Sequence, residues 1–487
     1  MEIYLYNSLS NKLSHVTPLD GTTIRMYSCG PTVYNYAHIG NMRSFLFADL
    51  LQRVLRVVGG FKVHWVMNIT NIDDKTIRDS AIGSKEWKEE MGEQTNNPLE
   101  NLLKFTSYYE KAFFEDISKL KINLKHFYKI PKATDYILQI QDTIKKIYKK
   151  GIAYYSGGSV YFNVAEWRKI DIYGKLFKID FENFRSGERI DSDQYEKEQA
   201  ADFALWKAKK AGEPYWEFNL DGQNCDGRPG WHIECSVMEK EILGLPFDIH
   251  TGGIDLKFPH HEDEIAQSKA AFGIDPTAIW CHNEFLEVEG QKMSKSLGNF
   301  FTLRDLENKG IDPIDIRFAM LSAHYGSIYN FTFNGIAAAR KARLRIQDYI
   351  YSLFDENNQG DKSPDVEELK EKVFKELGYD LHTPKALAHI FTFINNNPAE
   401  SIKIPQRRKL ISFFTKLNQI FEAWNIDKKP DDYVIIPNEI QELAEQRFLL
   451  KKEKKFDEAD RLRKIITDKG YVIKDSKDGY TIEKNKL

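Results

Sequence analysis

The stretch Met26-Tyr-Ser-Cys-Gly-Pro-Thr-Val-Tyr-Asn-Tyr-Ala-His-Ile-Gly-Asn41 constrains the chain more than any other. An apolar strand, about residues 23–28, runs into a loop that carries a thiol and a Gly-Pro turn. The loop feeds a helix starting near Gly40. Phe45, Leu46, Leu50, Leu51, Val54 and Leu55 make a stripe at helical spacing, which ends at Gly59-Gly60. The Val- and aromatic-rich residues 61–68 then read as a second strand. Strand, helix, strand is a βαβ unit and implies a parallel sheet. Ligands of such sheets bind outside the carboxyl ends of the strands. Cys29 and Thr70 fall there. A helix N-terminus offers unpaired N–H groups and the positive end of a dipole. His38 and this helix end are therefore expected to hold phosphates, with Cys29 as a metal ligand beside them.

The chain has 487 residues, too many for one ordinary core, so two to four domains are expected. Charged residues at 29% and hydrophobic ones at 42% read as a globular protein. No uncharged apolar run approaches the ~18 residues of a membrane span. The start, MEIYLYNSLS, lacks a basic segment followed by an apolar core, so no secretory signal and a cytoplasmic location are expected. Cys29, Cys225, Cys235 and Cys281 form no C-x-x-C pair and no disulfide framework. Spacing alone leaves them as inert thiols or as ligands gathered by the fold. With a net charge of -3, any nucleic-acid partner must be met by local patches.

Residues 1–112 are expected to be the first half of the sheet domain. Adjacent Asp73 and Asp74 read as an acid/base or metal pair, or as a helix cap, which is the favoured reading. Residues 113–202 look like an insertion, with a hairpin turning at Ser156-Gly-Gly-Ser159. Residues 203–332 return to the sheet domain. They hold a helix after Gly227-Arg-Pro-Gly230, a strand over 246–250, and a Gly-rich loop at Thr251-Gly-Gly-Ile-Asp255. His260 and Glu264 lie one helical turn apart. That is metal-ligand spacing, or a carboxylate supporting a histidine on a solvated face. In Lys292-Met-Ser-Lys-Ser-Leu-Gly-Asn299, two lysines can reach phosphate oxygens as mobile charges. Residues 333–430 read as helices and 431–487 as a small terminal module. There Arg447, Lys451, Lys452, Lys454, Lys455, Arg461, Arg463 and Lys464 cluster, either as a solvated face or as a nucleic-acid patch.

Taken together and in order, these motifs resemble cysteinyl-tRNA synthetase, a class I aminoacyl-tRNA synthetase, over essentially the whole length. The matching stretches include Tyr27-Ser-Cys-Gly-Pro-Thr-Val-Tyr, His38-Ile-Gly-Asn, Gly227-Arg-Pro-Gly-Trp-His-Ile-Glu-Cys-Ser, Phe258-Pro-His-His-Glu-Asp-Glu-Ile-Ala-Gln and Lys292-Met-Ser-Lys-Ser. The resemblance implies a Rossmann-like α/β catalytic domain with an inserted connective subdomain, then an α-helical tRNA-binding bundle and a C-terminal anticodon-binding domain. It implies one Zn2+ held by Cys29, Cys235, His260 and Glu264. It implies ATP with Mg2+ at His38, Gly40, Asn41, Lys292 and Lys295, with His38 and Lys295 catalytic. Thr70 and Trp231 are expected in the substrate pocket and Asp255 at the ribose. Asn41 stands where many class I enzymes have His, and Gly326 stands where this family usually has Arg.

The implied reaction joins L-cysteine to ATP as an adenylate, then to the terminal adenosine of tRNA(Cys), by a monomer. An apolar pocket separates cysteine from serine or alanine by only ~1–3 kcal/mol, so a metal that binds thiolate answers the selectivity problem. Two rivals are a cysteine ligase acting on a small amino-sugar acceptor and a catalytically silent zinc protein that binds RNA. The long extension after residue 332 argues against the first, and the intact phosphate motifs against the second.

Overall fold

The computed structural model describes residues 1–178, 201–294, 297–355, 360–427, 430, 436–475 and 479–484. Its centre is a five-stranded parallel sheet in the order Thr277–Asn283, Phe247–Gly253, Thr23–Ser28, Lys62–Met67, Phe127–Lys129. In chain order that is 5-4-1-2-3. The direction of winding reverses between Thr23–Ser28 and Phe247–Gly253, and such a switch point leaves a crevice at the strand ends. Every residue of Phe247–Gly253 is buried, as expected for a strand covered on both faces. His250 and Thr251 are thus polar groups in the middle of a core.

The helix Ile39–Val57 buries all six apolar residues of the expected stripe. It also buries Asp49, Gln52 and Arg53. Asp49 accepts from Arg53 at 2.9 Å and pairs with Arg317 at 2.8 Å. A buried charge persists only when paired in this way. Asp73 is the N-cap of the helix Asp74–Ser80, with Lys75 N–H donating to it at 2.8 Å, as the cap reading expected. Asp74 instead forms ion pairs with Lys207, at 2.8 Å, and with Arg228.

Two expected boundaries move. The helix Pro98–Lys119 runs through residue 112 without a break, because Leu102, Phe105, Tyr109, Ala112, Phe113 and Ile117 continue one buried face. The strand Phe127–Lys129 then still belongs to the parallel sheet, so its first half reaches about residue 129 rather than 112. The hairpin Ala153–Ser156/Ser159–Phe162 forms where expected, turning on Gly157 (φ 56°) and Gly158 (φ 85°). Phe203–Ala208 pairs antiparallel with it and with Gly227–Pro229. That four-stranded sheet carries the insertion past 202, to the turn that enters the helix Trp231–Leu243.

Contacts divide the chain into two compact units. One is residues 1–343, 365–396 and 415–424; the other is residues 344–364, 397–414 and 425–487. The expected helices appear as Phe333–Ser352, Val366–Gly378, Thr383–Asn396 and Ile404–Phe421. The terminal module is the helix pair Asn438–Lys452 and Phe456–Asp468 with the hairpin Tyr471–Asp475/Tyr480–Lys484, packed around Ile440, Ala444, Ile466 and Ile473. Among the described residues, no helix is long and apolar enough to cross a membrane.

Candidate metal centre and nucleotide site

Four chain segments meet at the switch point. Cys29 is the first residue after the Thr23–Ser28 strand, and Gly30 N–H donates to Asn68 Oδ1 at 2.8 Å. Thr70 N–H donates to Pro31 O at 3.1 Å, and Val33 N–H to Thr70 O at 3.2 Å, so this loop is laced to the end of the next strand. Cys235 comes from the first turns of Trp231–Leu243; His260 and Glu264 come from His260–Phe272. The ligand atoms of Cys29, Cys235, His260 and Glu264 all lie within 4.8 Å of one another. His260 Nε2 is 2.9 Å from Glu264 Oε1, and Cys29 Sγ is 3.7 Å from that oxygen.

The electrostatics suit a cation. Cys29 hydrogen-bonds Cys235 and lowers its thiol to about 6, against burial, with His260 adding to the effect. Burial, with Cys235 beside it, raises Cys29 well above its usual range. The two thiols are thus pushed in opposite directions, Cys235 towards thiolate and Cys29 towards thiol. Burial alone would raise the Glu264 carboxyl, but His250 and His260 hold it well below the usual carboxylate range. His260 is raised in turn, since Glu264 and Cys235 outweigh its burial. Two sulfurs, one imidazole and one carboxylate are a donor set compatible with zinc.

Spacing did not reveal a second constellation. Cys29, His250, His261 and Glu264 are equally close together. His261 Nε2 is 3.4 Å from Cys29 Sγ, and His250 Nε2 is 2.8 Å from Glu264 Oε2. His261 Nδ1 faces His282 Nε2 at 2.8 Å, and His282 Nδ1 faces Ser8 Oγ at 2.8 Å. His250 stacks on Trp280 at 4.4 Å. A one-residue register read from sequence selects His260, but His261 also points towards the thiol from the adjacent position. The available signal was the His-His pair, and only the fold shows that both rings serve the site. The expected Gly-rich loop is also different. Gly252 and Gly253 are still strand, paired with His282 and Asn283. A Cβ at Gly252 would stand 2.6 Å from His261 Cε1, so the glycine makes room for that ring.

The two segments expected to hold phosphates approach each other. His38 is the N-cap of Ile39–Val57: Asn41 N–H donates to His38 Nδ1 at 3.2 Å, and His38 N–H to Asn41 Oδ1 at 3.3 Å. Asn41 thereby completes a capping box. Burial lowers His38 to about 4, so its ring is neutral near pH 7. Gly40 touches the second motif, since a Cβ there would lie 3.0 Å from Met293 Cε. Ile39 N–H donates to Phe301 O at 2.9 Å. Lys292 is exposed on the short strand Gln291–Lys292, and Asn299 closes its loop by accepting from Ser294 N–H at 2.8 Å. Lys295 and Ser296 lie outside the described residues.

Of the remaining expected residues, Trp231 stacks on His260 at 4.4 Å and Thr70 is buried beside the loop of Cys29. Asp255 lies in the turn Ile254–Lys257, raised by burial but within reach of the Lys292 charge. Gly326 follows a His-Tyr pair in which His324 Nε2 contacts Asp380 O at 2.7 Å, while Arg43 donates to the carbonyls of 284, 285, 324, 325 and 327.

The family model for "tRNA synthetases class I (C) catalytic domain" matches residues 15–341. A curated cysteine--tRNA ligase of Leptospira interrogans (strain Fiocruz L1-130) is 41% identical, covering 98% of each chain. One from Brachyspira hyodysenteriae is 40% identical, also over 98% of each. Such coverage takes in the C-terminal extension, and no support falls to either rival reading. A Mycobacterium tuberculosis methionyl-tRNA synthetase in complex with methionyl-adenylate shares the fold, with a TM-score of 0.56 and 11% identity over 82% of this chain and 90% of that one. The strand order, the paired phosphate motifs and the thiol-rich centre agree with these matches, and the chain belongs to the cysteine--tRNA ligase family of class I aminoacyl-tRNA synthetases.

Proposed function

We infer that the chain activates L-cysteine with ATP, releasing pyrophosphate, and transfers cysteine to the 3′-terminal adenosine of tRNA(Cys). The observation that carries this reading is the cluster of Cys29, Cys235, His260 and Glu264 at the switch point of the sheet, beside the His38 helix end. A Zn2+ held by those four residues would bind the substrate's sulfur as thiolate, which a serine hydroxyl, far less acidic and a harder ligand, matches poorly.

The chain's own residues account for the rest. Trp231 and Thr70 wall the amino-acid pocket. The cysteine carboxylate attacks the α-phosphorus of ATP in line. The bond to the β-phosphate oxygen breaks, and Mg-pyrophosphate leaves. His38 cannot serve as a cation while its ring is neutral and its Nδ1 accepts from Asn41. It offers an Nε2–H donor to a phosphate oxygen, and the helix end supplies positive potential. Lys292 and Lys295 bring full charges to the leaving group, and Asp255 contacts the ribose. No covalent enzyme intermediate is needed, and catalysis is positioning plus charge stabilisation.

The helices after residue 333 and the terminal module carry tRNA. Within that module Arg447 is buried against Asp475 at 2.7 Å and serves its packing, whereas Arg461, Arg463 and Lys464 are exposed. We propose a cytoplasmic enzyme that acts as a monomer, the second reading supported by one chain's supplying every residue of the metal-ligand cluster. Charging of a tRNA(Cys) transcript with labelled cysteine tests the reading: cysteine esterified to the terminal adenosine supports it, and adenylate formed without transfer to tRNA overturns it.

A further inference from the structure

Arg43 is buried in the helix Ile39–Val57, five residues past the His38 cap. Among the described residues, its hydrogen bonds all go to backbone carbonyls. Nη1 donates to Glu284 O at 3.0 Å and to Phe285 O. Nη2 donates to His324 O at 3.3 Å, to Tyr325 O at 3.4 Å and to Ser327 O. A buried guanidinium is costly unless its donors are satisfied. Here every acceptor belongs to one of two chain segments, so the side chain fastens both of them to the helix.

Both segments lead into the small sheet that carries Lys292. Residues 284–285 run into the strand Leu286–Val288, and residues 324–327 into Tyr329–Phe331. These two strands pair in parallel, Leu286 with Tyr329 and Val288 with Phe331. Leu286–Val288 also pairs antiparallel with Gln291–Lys292, which sets Lys292 opposite Glu287. Glu284 N–H donates to Tyr325 O at 2.9 Å and Tyr329 N–H to Phe285 O at 3.0 Å, so the segments hold each other without help. What Arg43 adds is a polar tie from that sheet to the helix that His38 caps. Phe47 of the same helix stacks on Tyr325 at 4.5 Å. A stack fixes separation and leaves sliding free, whereas a planar fork of donors fixes position.

We propose that Arg43 is a positioning residue for adenylate formation: it sets where Lys292 stands relative to the phosphate-holding helix end at His38. This rests on the proposed function of the same nucleotide site. Arg43 touches no reacting atom. Its effect reaches ATP through the strand Gln291–Lys292, and a misplacement of about 1 Å there costs on the order of 100-fold in rate.

The test is a double-mutant cycle in cysteine-dependent pyrophosphate exchange, read as single-turnover adenylate formation where exchange is too slow. It compares the zinc-loaded full chain with Arg43→Gln, Arg43→Lys, Lys292→Ala and the double variant Arg43→Gln/Lys292→Ala, with zinc content measured in each. Arg43→Gln should keep its zinc and lose at least about tenfold in kcat, with the KM for cysteine changed by less than about threefold. Arg43→Lys, which keeps the charge and loses the fork, should fall between it and wild type. In the Lys292→Ala background, Arg43→Gln should cost less than about threefold, because the group it positions is gone. An equal factor in both backgrounds would assign Arg43 to general architecture and overturn the proposal, as would an unchanged kcat in Arg43→Gln or in Lys292→Ala. Should Arg43→Gln not fold, the cycle is run with Arg43→Lys and read in the same way; failure of both to fold overturns the proposal too. A wild-type protein without cysteine-dependent exchange defeats the functional reading itself, which is a separate outcome.

Discussion

Glu264 is gripped by two imidazoles, His260 at 2.9 Å and His250 at 2.8 Å, so as the proposed metal ligand it would have a partner whether engaged or released. Replacing it with cysteine keeps four metal donors but hardens the site against an incoming thiol. Glu264→Cys should retain zinc and narrow the preference for cysteine over serine by about tenfold or more, read as the ratio of kcat/KM in pyrophosphate exchange; an unchanged ratio would contradict a substrate-exchangeable Glu264. His38 makes a second residue-scale prediction. Burial places its ring near 4 in the free enzyme, so it stays neutral from pH 6 to 8 and is lost as a proton acceptor from Asn41 only in more acid solution. The kcat/KM for ATP, at saturating cysteine, should show no acid limb near pH 6.5 that vanishes in His38→Asn. Asp116 makes a third. Burial raises its carboxyl to about 6, although Arg304 Nε stands 3.2 Å away and pulls the other way. The folded protein then binds this proton more tightly than the unfolded chain, so the term erodes stability as pH rises from about 4 to 6. Asp116→Asn should stabilise by on the order of 1 kcal/mol at pH 7 and by almost nothing at pH 4, measured by urea unfolding.

At the scale of elements, the site depends on loops laced to one another at glycines. A Cβ at Gly30 would fall 1.6 Å from the Asn68 carbonyl oxygen. Gly30→Ala must part the Cys29 loop from the next strand, moving a ligand; zinc content should fall well below one per chain, and full occupancy with normal exchange would contradict this account. Much of this scale was legible in sequence. The helix after His38, the hairpin at Gly157-Gly158 and the helices after residue 333 follow from local periodicity and turn chemistry. The boundaries at 112 and 202 were not. A strand of three residues, Phe127–Lys129, has too few side chains to show a period, and Phe203–Ala208 gives no hint of its partner. His250 and His261 were missed for a related reason. Each lies on an ordinary strand or helix, and only tertiary packing turns it towards Cys29 and Glu264.

At the scale of the whole molecule, a buried ion cluster ties the Ile39–Val57 helix to later segments. Asp49 is paired with Arg53 and Arg317, while Arg53 also meets Glu422 at 2.5 Å and Arg317 donates to Phe421 O at 2.6 Å. Burial would raise Asp49, but Arg317 and Arg53 hold it well below the usual range. Its contribution is fully present above the ordinary carboxylate value near ~4 and is lost as pH falls through its own lower value. Asp49→Asn leaves buried Arg317 without a carboxylate partner and should cost about 3–5 kcal/mol at pH 7, seen as a lower urea midpoint. The terminal module predicts a division of labour: reversing Arg461, Arg463 and Lys464 to Glu should weaken tRNA charging while leaving activation of cysteine alone. The most direct test of the central claim is exchange of labelled pyrophosphate into ATP without tRNA, comparing cysteine with serine and alanine. The account predicts exchange with cysteine alone. Absence of exchange from folded, zinc-loaded protein, or equal exchange with serine, would contradict it.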